Sequence, residues 1–463
     1  MRTHLNGLAT ALIVTGASGA CTAETLAPRA LAPESPNESD ATARRDAGGS
    51  GGAGGPSSDA SGGTVGLGDG GAAPGVGGQD GGKPTTDGGS AGGPPLAPPT
   101  CIAKAGLPAW RAPMVVGAWK VLSSADLSKV TPSPAPTGNP VHRIDAWNGI
   151  AADTEKSHLW IGGVGGHADY AGNEVYTLDL NAAAPVWSLL SQPSPASTYT
   201  YNEEYFSDGR PSPAHTYYSL WFVEPRGQLF RFPTGATWGN GAGGTTYVDL
   251  WDPAKKDWGL KGTRPTMGTN GGVEMPTAKH SLTGDVYQMQ TDAHLYRWNQ
   301  ATDTVSDLGA STIGSGTFYD TDYAPAVVDS KRNILYFMSD NDAVGTQIRA
   351  YNIATKAWSR VTLTGAGAAV ASAKRRANQG MVFYDHCADA LVFKSKQGAE
   401  VVFVDAATFV ATPLVTSGSA PPSPHSLGSE DAGVHTLFQY IPKLGGYAYQ
   451  PLGSSPLYFL ATQ

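Results

Sequence analysis

The stretch Ile348-Arg349-Ala350-Tyr351-Asn352-Ile353-Ala354-Thr355-Lys356-Ala357-Trp358 decides the fold. A strand-like run ends in an Asn, a polar turn follows, and a Trp stands six residues after the Asn. Asn and Asp suit turns because their side chains bond backbone N–H groups two or three residues on. The arrangement recurs: Asn181 leads to Trp187, Asp252 to Trp258, Asn299 to Val305 and Asp405 to Ala411, each after a run such as Tyr176–Leu180 or Val401–Val404. From 181 through 252, 299 and 352 to 405 the intervals are 71, 47, 53 and 53 residues. Short strands and turns repeating about every fifty residues are the signature of a β-propeller, whose four-stranded blades bury their faces on one another. Two more strands precede most of these runs, for example Gly380–Tyr384 then Ala390–Phe393, with hairpin turns such as Asp329–Asn333 between such pairs.

Leu457-Tyr458-Phe459-Leu460-Ala461 matches the third-strand run of the other repeats, and no Trp-bearing fourth strand follows it. Gly117-Ala118-Trp119-Lys120-Val121-Leu122 stands ahead of the first full repeat without partners of its own. Letting it complete the last blade closes the ring and removes an exposed sheet edge. The expected fold is therefore all-β, a propeller of six four-stranded blades, or of seven if the interval of 71 residues holds a degenerate one.

The chain has 463 residues, a formal net charge of -8 and 15% charged residues. That balance excludes nucleic acid or an anionic membrane surface as the main partner, because phosphate binding needs clustered Lys and Arg. No aromatic residue precedes Trp110, so the first hundred or so residues have little to bury. Residues 1–21 read as a signal peptide: Met1-Arg2-Thr3-His4, an apolar run Leu8–Val14, then Ala17-Ser18-Gly19-Ala20-Cys21. A Cys after Ser-Gly-Ala resembles the lipobox of bacterial lipoproteins, which would make Cys21 the lipidated residue; simple cleavage is the other reading. The destination is then the outer membrane or cell surface, or else the periplasm or medium. Residues 22–104, rich in Gly, Ser, Ala, Asp and Pro, read as a disordered tether, and residues 105–463 as the propeller. Cys101 and Cys387 form an even pair in an oxidising compartment, as a disulfide or as two structural thiols.

Ile161-Gly162-Gly163, Gly165-Gly166, Asn173-Glu174-Val175-Tyr176 and Trp187 together resemble a kelch repeat. Over residues 115–463 the chain resembles a kelch-type propeller of the broad galactose oxidase-like superfamily, with Ser339-Asp340 and Ser395-Lys396 where later blades would carry the Gly pair. The resemblance implies an architecture rather than an activity. Galactose oxidase itself needs a copper held by two Tyr and two His, with a Cys bonded to one Tyr. Cys101 and Cys387 are expected on the opposite face, so no copper is expected here.

Long loops before the first strand of each blade and between its second and third strands share one face, and the site is expected there. The Gly-flanked segment Gly166–Asn173 offers His167, Asp169 and Tyr170 as ligand contacts, or is a loop whose polar groups bond its own backbone. Tyr201 and Glu203 pair an aromatic face with a carboxylate, which suits a sugar ring and its hydroxyls; an exposed loop fastened by Tyr packing is the alternative. Arg143, Trp147, Asn148, His215, Arg375, Arg376 and His435 are expected near the channel mouth. Arg375-Arg376 suits a carboxylate or is solvated charge, and the two His are ligands or hydrogen-bonded scaffold. Asp340-Asn341-Asp342 and Asp320-Thr321-Asp322 lack the spacing of a calcium loop, and neither a metal nor a cofactor is expected. The functional reading is a monomeric, non-enzymatic recognition module for a glycan or protein, touching a membrane only through an N-terminal lipid. The alternative is a glycan-active hydrolase, lyase or epimerase drawing on Asp169, Glu203, Glu204, His215 and His435.

Overall fold

A computed structural model describes residues 94, 96–98, 101–102, 106–239, 244–268, 272, 274–317, 323–373, 379–396, 400–422 and 433–463. Residues 1–21, read above as a signal peptide with Cys21, most of residues 22–104, read as a tether, and Asp320, Asp322, Arg375 and Arg376 lie outside the described residues.

Each Asn or Asp turn closes a hairpin, and stacking the hairpins makes blades. Blade 1 consists of Ala151–Asp153, His158–Gly162, Val175–Asp179 and Trp187–Ser191, and blade 2 of Leu220–Val223, Gln228–Arg231, Asp249–Asp252 and Asp257–Trp258. Blade 3 is Thr277–Lys279, Val286–Met289, His294–Asn299 and Thr304–Ala310, and blade 4 is Ala326–Asp329, Ile334–Phe337, Gln347–Asn352 and Ala357–Thr362. Blade 5 is Met381–Asp385, Ala390–Lys394, Val401–Asp405 and Ala411–Pro413. Blade 6 contains Phe438–Ile441, Gly446–Tyr449 and Pro456–Ala461, and its fourth strand is Ala118–Asp126 from the other end of the domain. The inner strand of blade 6 lies beside those of blades 5 and 1, so the six-bladed ring is closed.

The closing pair is antiparallel, with Trp119 opposite Leu460, Lys120 opposite Phe459 and Val121 opposite Tyr458. Two residues, Ser417–Gly418, add a short parallel strip along its outer edge. The segment between blades 1 and 2 holds one 3-10 turn, Ala196–Thr198, and no further blade; a loop insertion accounts for the long interval there.

Turn chemistry repeats with the blades. Asp252, Asn299, Asn352 and Asp405 each accept, through Oδ1, the backbone N–H two residues on. In blade 1 this acceptor is Asp179, not Asn181, and the turn to Trp187 is correspondingly longer. The turn between the first two strands is equally regular: Ser157, Gly227, Gly284, Asn333, Asp389 and Gly445 hold one left-handed position per blade, with φ from 49° to 75°. Such positions suit Gly, Asn and Asp and are costly for other residues.

Aromatic residues fill the spaces between blades, as Trp160 on Phe222 at 5.2 Å and Phe230 against Trp298 at 4.6 Å show. On the axis Trp221 of blade 2 meets Phe383 of blade 5, ring centres 6.0 Å apart, beside an apolar cavity of about 60 Å³. The leader ahead of the closing strand docks on the face opposite the long loops. Arg111, buried, donates to the carbonyls of Leu444, Gly445 and Gln463, and Trp110 packs edge-on against Phe459. A disulfide joins Cys101 to Cys387, in the turn between the first two strands of blade 5.

Trp119 is 4% exposed and packs against Tyr449 within blade 6. Trp119→Ala is expected to lower the unfolding free energy by about 3–5 kcal/mol, read from the midpoint of urea unfolding at unchanged slope.

Candidate functional site

The left-handed turn residues supply a register for the opposite face. Ten residues before 157, 227, 284, 333, 389 and 445 stand Trp147, Tyr217, Glu274, Tyr323, Gln379 and His435, one per blade, just ahead of each inner strand. Five of them, all but Gln379, are themselves left-handed, with φ from 43° to 63°. A non-Gly residue held there costs of order 1–3 kcal/mol and persists only where the surroundings enforce it. Five equivalent copies at one mouth form a built feature of the ring.

These side chains meet across the axis. Gln379 donates through Nε2 to both carboxylate oxygens of Glu274 at 2.9 Å, and accepts from Lys396 Nζ at 2.7 Å. His435 Nε2 lies 3.7 Å from Glu274 Oε1, and the rings of Tyr217 and Tyr218 meet that imidazole edge-on at 5.3 and 5.2 Å. His435 is 1% exposed, and neither of its ring nitrogens has a hydrogen-bond partner among the described residues. Burial drives the Glu274 carboxyl above its ordinary value, with His435 and Gln379 opposing the rise.

A second polar group lies on the blade 1 and 2 side. Asp169 Oδ2 is 2.9 Å from His215 Nε2, and His215 Nδ1 is 3.3 Å from the Tyr217 hydroxyl. The result is a continuous Asp169–His215–Tyr217 relay ending beside His435. Burial lowers the His215 value, against the pull of Asp169, and raises that of Tyr217. The His215 ring lies 5.1 Å from that of Trp147 and 5.9 Å from that of His167.

The loop carrying Asp169 owes its shape to Gly166, at φ 83°, where a Cβ would meet the carbonyl oxygen of Ala236 at 2.2 Å. That close approach lets His167 pair with Trp238. Tyr201, 65% exposed, lies 5.8 Å from the Trp238 ring, so the front loops of blades 1 and 2 form one surface.

The structure thus brings together His167, Asp169, Trp147, Tyr201, His215 and His435. Three other nominees serve the scaffold. Arg143 is fully buried and donates to the carbonyls of Leu127, Val130 and Pro140 and to the Tyr176 hydroxyl, because an interior guanidinium must satisfy its five donors. Tyr170 is buried and donates to Glu174 Oε1 at 2.6 Å. Asn148 bridges the His142 carbonyl and the Thr216 N–H. Glu203 is exposed, while Glu204 accepts from the backbone of Thr246 and Tyr247. Asp340 pairs with Arg349 and Arg360. Among the described residues, no three His, Cys, Asp or Glu side chains at the mouth converge as a cation site. Tyr217, Glu274, Tyr323 and Gln379 escaped the sequence reading; their shared register with the blade turns was the signal available.

No family model and no curated protein matches the chain. Among solved structures it is similar to an auxiliary nutrient binding protein from Bacteroides ovatus ATCC 8483, at 11% identity over 69% of each chain with a TM-score of 0.42. It is also similar to a structural genomics protein of unknown function from Bacteroides thetaiotaomicron VPI-5482, at 8% identity over 74% of this chain and 75% of that one, with a TM-score of 0.40. Likeness at this level says nothing of a ligand for this chain.

Glu274→Gln keeps the acceptor for Gln379 and removes a desolvated charge. Because the folded value lies above the ordinary 4.5, the wild type loses stability as pH rises from there through the folded value. The variant lacks that loss, so it is expected to be more stable by about 1–2 kcal/mol at neutral pH. The gain should vanish in acid, as read from urea unfolding across that range.

Proposed function

We propose that this chain is an exported, tethered recognition propeller of the kelch type, and that it captures a polyhydroxylated ligand of the glycan class at the channel mouth. The observation that carries the reading is the set of one side chain per blade, five held left-handed, that gathers Trp147, Tyr217, Glu274, Tyr323 and His435 on one axis. Sugar hydroxyls both donate and accept, and His167, exposed, and Asp169, half-buried, supply both kinds of partner at the mouth, with His215, Glu274 and His435 buried behind them. Aromatic faces suit the apolar side of a pyranose, and Trp147 and Tyr201 stand at the rim. Export and tethering rest on Met1–Cys21 and the Gly-rich stretch after it. Cys21 is proposed as the lipidated residue.

One observation favours a second reading. The Asp169–His215–Tyr217 relay is the geometry by which a hydroxyl is readied for general acid or base work, and Glu274 faces it from blade 3. A lyase or epimerase acting on the captured glycan would use it.

A glycan array followed by calorimetry on the purified chain tests both. Trp147→Ala and His215→Gln are each expected to weaken the best glycan by at least about tenfold, roughly 1.4 kcal/mol. Product formed from that glycan, and lost in Tyr217→Phe, would decide for the enzyme. Affinity untouched by either substitution would remove the mouth as the site.

A further inference from the structure

Away from the mouth, on the opposite face, His386 sits against the disulfide. Its Nε2 lies 3.2 Å from Cys387 Sγ and 3.8 Å from Cys101 Sγ. These are the one group of three His, Cys, Asp or Glu side chains among the described residues whose ligand atoms all fall within 4.8 Å of one another. Cys101 is exposed and the other two are half-buried, so a small reductant and an ion can reach them.

In tetrahedral zinc sites the metal lies ~2.3 Å from sulfur and ~2.0 Å from nitrogen, which sets nitrogen and sulfur ligands ~3.5 Å apart. The two His386 distances bracket that spacing before any ion arrives. Only the sulfurs need to separate.

The frame that carries the three ligands does not rely on the sulfur–sulfur bond. Asp385 Oδ1 accepts from the N–H groups of Cys387 and Ala388 and from the Tyr440 hydroxyl, which fixes the turn bearing His386 and Cys387. On the leader side, the bonds from Arg111 to Leu444, Gly445 and Gln463 keep the segment that carries Arg111 docked beside blade 6.

We propose that, once reduced, Cys101, His386 and Cys387 form a three-ligand site for a thiophilic divalent cation of the zinc type. A dithiol reductant delivers two electrons and two protons, leaving two thiols here and a disulfide on the reductant. Zinc binding then displaces both thiol protons to solvent, and neutral His386 supplies Nε2. A water molecule completes the tetrahedron. The cluster thereby clasps the leader to blade 5 in either redox state, covalently when oxidised and through the metal when reduced.

The test uses the full chain, reduced anaerobically and freed of reductant, titrated with Zn2+ against a chromophoric chelator. One equivalent is expected to bind the reduced chain at least about a hundredfold more tightly than the oxidised chain, and His386→Ala is expected to lose at least tenfold. Cobalt(II) in place of zinc should give a thiolate charge-transfer band, absent from Cys101→Ser/Cys387→Ser, the control in which Cys21 is the one cysteine left. Equal zinc uptake by the reduced and oxidised chains overturns the proposal. So does reduced-chain binding that His386→Ala leaves intact, or that persists in urea and therefore needs only an unfolded pair of thiols.

Discussion

Pairing of Ala118–Asp126 with Pro456–Ala461 is the interaction on which the rest of the molecule depends. A propeller blade has apolar residues on both faces, so no blade is content at the end of a row. The strand from the amino-terminal side gives blade 6 its fourth member and leaves the ring without a free end. Every statement about a mouth and an axis follows from that closure. So does the meeting of Glu274 of blade 3, Gln379 of blade 5 and His435 of blade 6 at one point.

The ring also explains where the polar interior lies. Inner strands carry apolar residues through the middle of the axis, where Trp221 and Phe383 meet. Charged and hydrogen-bonding groups concentrate at the mouth, where loops rather than strands supply side chains. Burying Glu274, His435 and His215 there opposes folding, since each loses water for only partial compensation. Five left-handed residues add to that burden. Local conflict of this kind, placed at equivalent sites of a fold that is otherwise consistent, is what marks the mouth as the candidate site.

The architecture was legible because its determinants are local. Asp252, Asn299, Asn352 and Asp405 shape their turns through bonds two residues away, and the strands before them carry the pattern that stacks. Blade count and closure follow from spacing. The candidate site was half legible. Trp147, His167, Asp169, Tyr201, His215 and His435, which the fold brings to one side of the ring, stand out as polar or aromatic residues on long loops. Arg143, Tyr170 and Asn148 share those traits but point inward, where Glu174 and backbone carbonyls satisfy them; residue type alone does not reveal orientation. Tyr217, Glu274 and Gln379 lie within a few residues of inner strands and read as strand flanks. Their convergence is a product of circular symmetry, which brings together positions far apart in the chain.

The bond from Cys101 to Cys387 carries a mechanical consequence. Tension applied upstream of Cys101 enters the molecule through that sulfur link and passes directly into blade 5. The leader and the closing strand, which lie between Cys101 and blade 1, stay slack. Such a pull loads the body of the wheel instead of peeling its seam, and a chain drawn from its amino-terminal side would resist unravelling while that link holds.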